Sequence, residues 1–375
     1  MRIAINTRLL VRGKMDGIGW FTYETTRRIV KDHPEHIFYL LFDRQPDPMF
    51  LFGDNAIPVV LCPPARHPIL WWIFFETAVP IALKHYKIDL YLSPDGFMPL
   101  HSKVPTLSVI HDINFEHSND NLRPSHQRYM THFFPRFAQK STRIATVSEY
   151  SKQDISITYH IDSKKIDVVY DGAHDGYRPH SEEEKKAVRD RFTGGKPYLI
   201  FISTILKRKN LANLLLAFDQ IKDTDTRDLK LVVVGNRVWW QDELETAYNG
   251  MRHQQDVLMP GHVEPEELAA LLSASEALVY PSYFEGFGIP ILEAMYAETA
   301  VIASRTTSMP EVGGDAVLYI DPANPDDIAH AIRQLEESGL RENLIAKGRQ
   351  QRQNFSWNKT ADLLWQSMLH TIEQA

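Results

Sequence analysis

The chain has 375 residues, 43% hydrophobic and 24% charged, which is room for two domains with separate cores and an ordinary globular composition. Its single cysteine, Cys62, excludes an internal disulfide and a multi-cysteine zinc site and suits a reducing cytoplasm. Net charge is −7: residues 1–180 carry 21 Lys/Arg against 19 Asp/Glu and residues 181–375 carry 20 against 29, so no concentrated basic face argues for nucleic acid, and +2 is too small to argue for an anionic membrane surface.

The first residues read as a strand and not as a signal peptide, because no long apolar segment follows a basic start. Strand-like runs at 2–6, 37–42, 90–93, 106–110, 144–148 and 166–170 alternate with helical patterns at 21–30, 123–139 and 149–159. That alternation predicts a parallel sheet covered on both faces. Gly17-Ile18-Gly19-Trp20 stands before the first helix. Without the third glycine and the downstream acid it is a weak dinucleotide signal, and a tight strand-to-helix turn explains it as well. Residues 68–80 are rich in aromatics, and packing of a core helix outweighs acceptor stacking there. The apolar run 69–75 ends at Glu76, far short of a membrane span. His111 and Asp112 close a strand, at the edge where open α/β sheets bind ligands; a lone histidine is more often structural. Ser148 reads as a helix N-cap.

Glycines in 171–179, followed by the charged run 181–191, mark a domain boundary and hinge near 172–180. The alternation then restarts, with strands at 198–203 and 229–234 and helices at 211–221 and 266–272. Between the first pair lies Thr204-Ile205-Leu206-Lys207-Arg208-Lys209-Asn210. Three bases in a row ordinarily make a solvated surface. Here they sit between a strand and a helix, where arginine offers phosphate a bidentate fork and lysine a point charge. Val234-Gly235-Asn236 and Pro260-Gly261-His262-Val263 close two further strands.

The second half turns on Glu285-Gly286-Phe287-Gly288-Ile289-Pro290-Ile291-Leu292-Glu293, preceded by a buried strand at 277–282. Proline is favoured at the start of a helix, whose free N–H groups attract phosphate. Gly286 and Gly288 let backbone approach a ligand. Two carboxylates, Glu285 and Glu293, flank that point and can accept from hydroxyls, a distribution that fits a sugar nucleotide. The bland alternative is a capping acid and a solvated first-turn acid.

From Pro281 to Met295 the run resembles the signature of retaining glycosyltransferases of family 4, approximately P-S-x-x-E-G-F-G-x-P-x-L-E-A-M. The resemblance implies an α/β chain of GT-B fold: two Rossmann-like domains whose parallel sheets face across a cleft, with a C-terminal helix crossing back to the first domain. Expected domains are 1–175, completed by a helix at 358–375 and binding the acceptor, and 176–357, binding the nucleotide sugar. The implied catalytic residues are His111, Glu285, Arg208 and Lys209. Donor-binding residues would be Gly17, Gly19, Thr204, Arg208, Lys209, Val263, Gly286, Phe287, Gly288, Ile289 and Glu293, with Glu285 facing the sugar and Glu293 holding the ribose. Several positions depart from the family pattern: Trp20, Asp171, His174, Ser203, Lys207, Glu298 and Ala300.

The implied reaction moves a hexose from GDP-mannose or a UDP-hexose to an acceptor hydroxyl, with the anomeric configuration retained, in cell-surface polysaccharide or glycoconjugate synthesis. No cofactor and no metal are expected, since no D-x-D ends a strand and protein cations can neutralise the leaving diphosphate. The acceptor would be a saccharide or a lipid-linked saccharide, the location cytoplasmic, with peripheral contact at the inner membrane face. Alternatives are a GT-B epimerase or phosphorylase, or a noncatalytic sugar-nucleotide-binding subunit.

Overall fold

A computed structural model describes residues 1–65, 67–118, 122–236, 240 and 242–374. The chain divides into two compact units, Met1–Asp171 with Ser356–Ala375, and Gly172–Phe355.

The first unit runs β1 (Arg2–Asn6), α1 (Gly17–Asp32), β2 (Ile37–Phe42), β3 (Ala56–Val60), α2 (Pro68–Ile73), a π turn (Phe74–Ala78), α3 (Val79–His85), β4 (Leu90–Ser93), β5 (Thr106–Val109), α4 (Asn114–His117), α5 (Pro124–Lys140), β6 (Arg143–Thr146), α6 (Glu149–Tyr159) and β7 (Ile166–Val168). Its seven parallel strands lie in the order β3-β2-β1-β4-β5-β6-β7. The inner strands are buried almost throughout, polar Ser93, Thr106 and Ser108 included, because helices cover both faces. Phe74, Phe75, Val79, Leu83, Phe134 and Phe137 pack against one face. The C-terminal helix, Trp357–Glu373, completes this unit. Its Ser356 cap accepts from Lys359 N at 3.3 Å, Trp365 stacks on His33 at 3.7 Å, and Ser367 donates to Asp167 at 2.6 Å.

Three expectations change here. The helix expected from residue 21 begins at Gly17, because Asp16 caps it by accepting from Gly19 N at 3.0 Å. Gly17 and Gly19 therefore lie in the first helical turn and not in a loop ahead of it. The strand β3 was not foreseen: it is the sheet edge, holds Pro58 and leaves three of five residues exposed, so it lacks an apolar run. Strands expected to 110, 148 and 170 end at Val109, Thr146 and Val168, where the chain turns out of the ladder.

The second unit runs α7 (Glu182–Thr193), β8 (Tyr198–Ile202), α8 (Leu211–Lys222), β9 (Lys230–Val234), α9 (Asp242–Asn249), β10 (Val257–Gly261), α10 (Pro265–Ala274), β11 (Ala277–Tyr280), α11 (Ile289–Tyr296), β12 (Ala300–Ser304), α12 (Met309–Gly313), β13 (Val317–Ile320), α13 (Pro325–Gln334) and α14 (Leu340–Gln351). Six parallel strands lie in the order β10-β9-β8-β11-β12-β13. In each sheet the chain builds outward one way, then returns and builds the other way. The reversal falls between β1 and β4 in the first unit and between β8 and β11 in the second. Ligands of open α/β sheets bind beyond the carboxyl ends of the strands at such a point.

Candidate active site

In the second unit the sequence-predicted residues gather at that reversal. Arg208 and Lys209 lie on a short 3-10 turn after β8, and Glu285 lies in the loop after β11. Lys209 Nζ donates to Glu285 Oε1 at 2.5 Å and to the Tyr280 hydroxyl at 2.9 Å. Tyr280 in turn donates to the same carboxylate oxygen at 2.8 Å. Arg208 Nη1 reaches the other oxygen at 3.1 Å and the Phe284 carbonyl at 2.8 Å. Burial alone would raise the Glu285 carboxyl, but Lys209 and then Arg208 outweigh it and hold it down at about 2. The Tyr280 phenol is driven well above its ordinary range, by burial first and then by Glu285. Here the cations expected on a diphosphate and the acid expected on a sugar form one buried ion cluster.

Backbone anchors fix the cluster. Asn210, at φ 59°, donates to the carbonyls of Pro281 at 3.0 Å and Pro322 at 2.6 Å, tying the basic turn to the loop after β11. Glu285 N donates to the Thr307 hydroxyl at 3.2 Å, and Ser308 donates to the carbonyls of Glu285 at 2.9 Å and Phe287 at 2.8 Å. Thr307 sits at φ 55°, which a β-branched residue rarely adopts, and strain of that kind collects at functional sites. Tyr280, Thr307 and Ser308 were missed in the sequence; their position at strand ends of this edge was the available signal.

Gly288, at φ 104°, is the N-cap of α11, so glycine is required by conformation. Ile289 and Pro290 open the helix, and Gly286 and Phe287 are buried before it, Phe287 against Phe355 at 5.6 Å. Glu293 lies in α11 and is partly exposed. Its desolvation raises the carboxyl to about 7, against the opposing effect of the Tyr177 phenol that faces it. Thr204 is exposed after β8, and Val263 is buried beyond β10.

His111, Gly17 and Gly19 belong to the first unit. His111 donates from Nε2 to the Pro94 carbonyl at 2.9 Å, and Phe21 meets its ring edge-on at 4.8 Å. Desolvation lowers its pKa against the pull of Pro94 and Asp112, so the imidazole is neutral at neutral pH with Nδ1 as its acceptor. The same sheet edge holds a group the sequence did not single out. Asp95, beyond β4, accepts from Asn6 at the end of β1 at 2.8 Å and from Arg8 Nε, just beyond that strand, at 2.8 Å. Arg8 is 8% exposed, and its guanidinium lies 4.7 Å from the Phe97 ring centre. Partners 87 residues apart left no local pattern to read.

Comparison with known proteins yields two family matches: Glycosyltransferase Family 4 over residues 15–175 and Glycosyl transferases group 1 over residues 182–351. The chain is 31% identical over 278 residues to O-antigen chain mannosyltransferase B of Escherichia coli, covering 74% of this chain and 73% of that one. Among solved structures, sucrose-phosphate synthase from Thermosynechococcus elongatus aligns with TM-score 0.76 at 17% identity, covering 98% of each chain. WaaG, a glycosyltransferase involved in lipopolysaccharide biosynthesis, aligns with TM-score 0.74 at 14% identity, covering 96% of this chain and 97% of that one. At these identities the two structures speak for the fold alone.

Proposed function

The chain belongs to the group 1 glycosyl transferases, enzymes of GT-B fold, and from that premise we propose that it transfers mannose from GDP-mannose to a saccharide hydroxyl with retention of configuration. The mannosyl assignment draws on the similarity to an O-antigen mannosyltransferase, as does a role in polysaccharide synthesis. The acceptor in this reading is a saccharide carried on a lipid, met by a chain in peripheral contact with the inner membrane face.

The observation that carries the reading is the Glu285–Lys209–Arg208 cluster at the strand reversal, beside the start of α11. Leaving-group charge on the diphosphate grows in the transition state, where fixed cations and helix N–H groups stabilise it most. Glu285 holds those cations in place before the donor arrives. With the donor bound, Arg208 and Lys209 take its diphosphate together with the backbone of Gly288 and Ile289, and Glu285 steadies the sugar. Glu293 receives the ribose hydroxyls. His111 Nδ1 accepts from a hydroxyl of the transferred sugar. Because protein cations carry the leaving charge, turnover needs no divalent ion.

A thermal-shift panel of GDP-, UDP-, ADP- and dTDP-sugars tests the donor. GDP-mannose at a hundredfold excess over its Kd should stabilise the protein by about 2.7 kcal/mol. A larger shift with another sugar nucleotide would replace the donor, and no shift with any would remove the reading.

A further inference from the structure

We propose that the outer face formed by α2, α3 and α5 of the first unit docks on a bilayer containing anionic lipid. The proposal deepens the reading of a lipid-borne acceptor by naming the surface that meets the lipid.

Two stripes make up this face. The first is apolar. The stretch from α2 through the π turn to α3 buries Phe74, Phe75, Val79 and Leu83 on its inner side. Its outer side should then be polar, as on any surface helix. Instead Ile69 is 65% exposed, Trp72 49% and Ile81 69%. Counting the extra residue of the π turn, these three fall within a sector of roughly 90°. The only acid between His67 and Ile88 is Glu76, whose side chain is 6% exposed and is taken up by Leu100 N at 2.8 Å and His101 at 2.7 Å. The apolar stripe therefore presents no negative charge of its own, and Lys84 and Lys87 follow it on the exposed side.

The second stripe is basic. Arg128, His132, Arg136 and Lys140 recur every fourth residue along α5 and are all exposed, so they line one side of that helix. No Asp or Glu occurs between Asp120 and Glu149. Lys165 adds a further cation at the helix end, donating to the Gln139 carbonyl at 2.8 Å. The stripes adjoin, because Trp71 of α2 packs on His126 at 5.0 Å and on Tyr129 at 5.3 Å, both in α5. The net charge of +2 over residues 1–180, too small to argue for a membrane when averaged, conceals this acid-free region.

Aliphatic side chains and one tryptophan beside a one-signed row of cations match the acyl boundary and the headgroups of an anionic leaflet. Nucleic acid would be met by stacking aromatics set among the cations; here the exposed apolar groups are mainly isoleucines, apart from the basic row. Among the described residues no helix is long and apolar enough to cross a membrane, so the contact is peripheral.

The test is co-sedimentation of the full chain with vesicles, without donor or acceptor, so that its outcome is separate from that of the transfer reaction. Vesicles of phosphatidylcholine mixed with phosphatidylglycerol should bind the protein and pure phosphatidylcholine should not, with binding weakened by salt. Arg128→Glu with Arg136→Glu should weaken binding at least about tenfold. Trp72→Glu with Ile81→Glu should do the same while keeping the wild-type circular dichroism spectrum and a cooperative melting transition, which shows the fold intact. Absence of binding to the mixed vesicles, equal binding to both vesicle types, or unaltered binding by both variants would overturn the proposal. So would concentration-dependent dimerisation abolished by Trp72→Glu with Ile81→Glu, because the face would then cover a second copy.

Discussion

Glu285 accepts from Lys209, Tyr280 and Arg208, so its removal leaves a buried ammonium without its counter-charge. Glu285→Gln should therefore lower stability at pH 7 by about 3–5 kcal/mol. The pH dependence follows from the direction of the shift. The folded carboxyl titrates at about 2, below the ordinary 4.5, so its stabilisation is present above pH 4.5 and lost as pH falls through 2. The gap between wild type and variant should accordingly close on acidification, as urea unfolding at a series of pH values would record; a pH-independent gap would mean that the ion pair is not its source. Glu293 runs the other way. Its folded carboxyl is raised to about 7, so the native state holds a proton that the unfolded chain has lost, and stability declines as pH rises from 4.5 to 7. Glu293→Gln removes that dependence and should be more stable than wild type at pH 8, by on the order of 2 kcal/mol, with near equality at pH 4. A variant less stable than wild type at pH 8 would show that the charge is well solvated. Both acids, and the Arg208-Lys209 pair, were legible in the sequence because they stand in short linear patterns. Their supports were not: Tyr280, Thr307 and Ser308 act through contacts made only once strands are side by side, and Arg8 meets Asp95 across 87 positions.

At the scale of elements, apolar runs and helical periods marked most of the inner strands and the longer helices of the first unit, but β12 and the helices α7, α9, α12, α13 and α14 were not among the elements expected. Ends were harder. The Gly17–Gly19 turn proved to be helix because one aspartate, Asp16, captured a backbone N–H. The edge strand β3 escaped notice because half-exposed strands carry weak patterns. The end of α11 shows how a departure from a family pattern is absorbed. Glu298 stands where the family has glycine and occupies φ 57°, a left-handed conformation unfavourable to side chains. It compensates through Arg349, which donates from Nε at 2.8 Å. Glu298→Gly should relieve about 1 kcal/mol of strain and lose a half-exposed pair of similar size, leaving stability within about 0.5 kcal/mol of wild type. Glu298→Ala keeps the strain and loses the pair, and should melt lower than both. A melting series in which glycine ranks below alanine would show that the pair and not the backbone dominates this turn.

At the scale of the molecule, two parallel sheets of seven and six strands each reverse their winding once, and that reversal decides where chemistry can sit. The alternation of strands and helices made this architecture readable, because it forces parallel pairing; strand order was not readable, since nothing in the run of residues states which neighbours pair. In the second unit the reversal brings the basic turn after β8 onto the acid after β11, and the account of function rests on that meeting. Its central claim is retaining mannosyl transfer with protein cations, and no metal, holding the departing diphosphate. The most direct measurement follows the anomeric proton of the product by NMR, with GDP-mannose as donor, a manno-oligosaccharide as acceptor and EDTA in the buffer. The account predicts an α-linked product formed at an undiminished rate. A β-linked product, or transfer that stops in chelator and returns with magnesium, would contradict it.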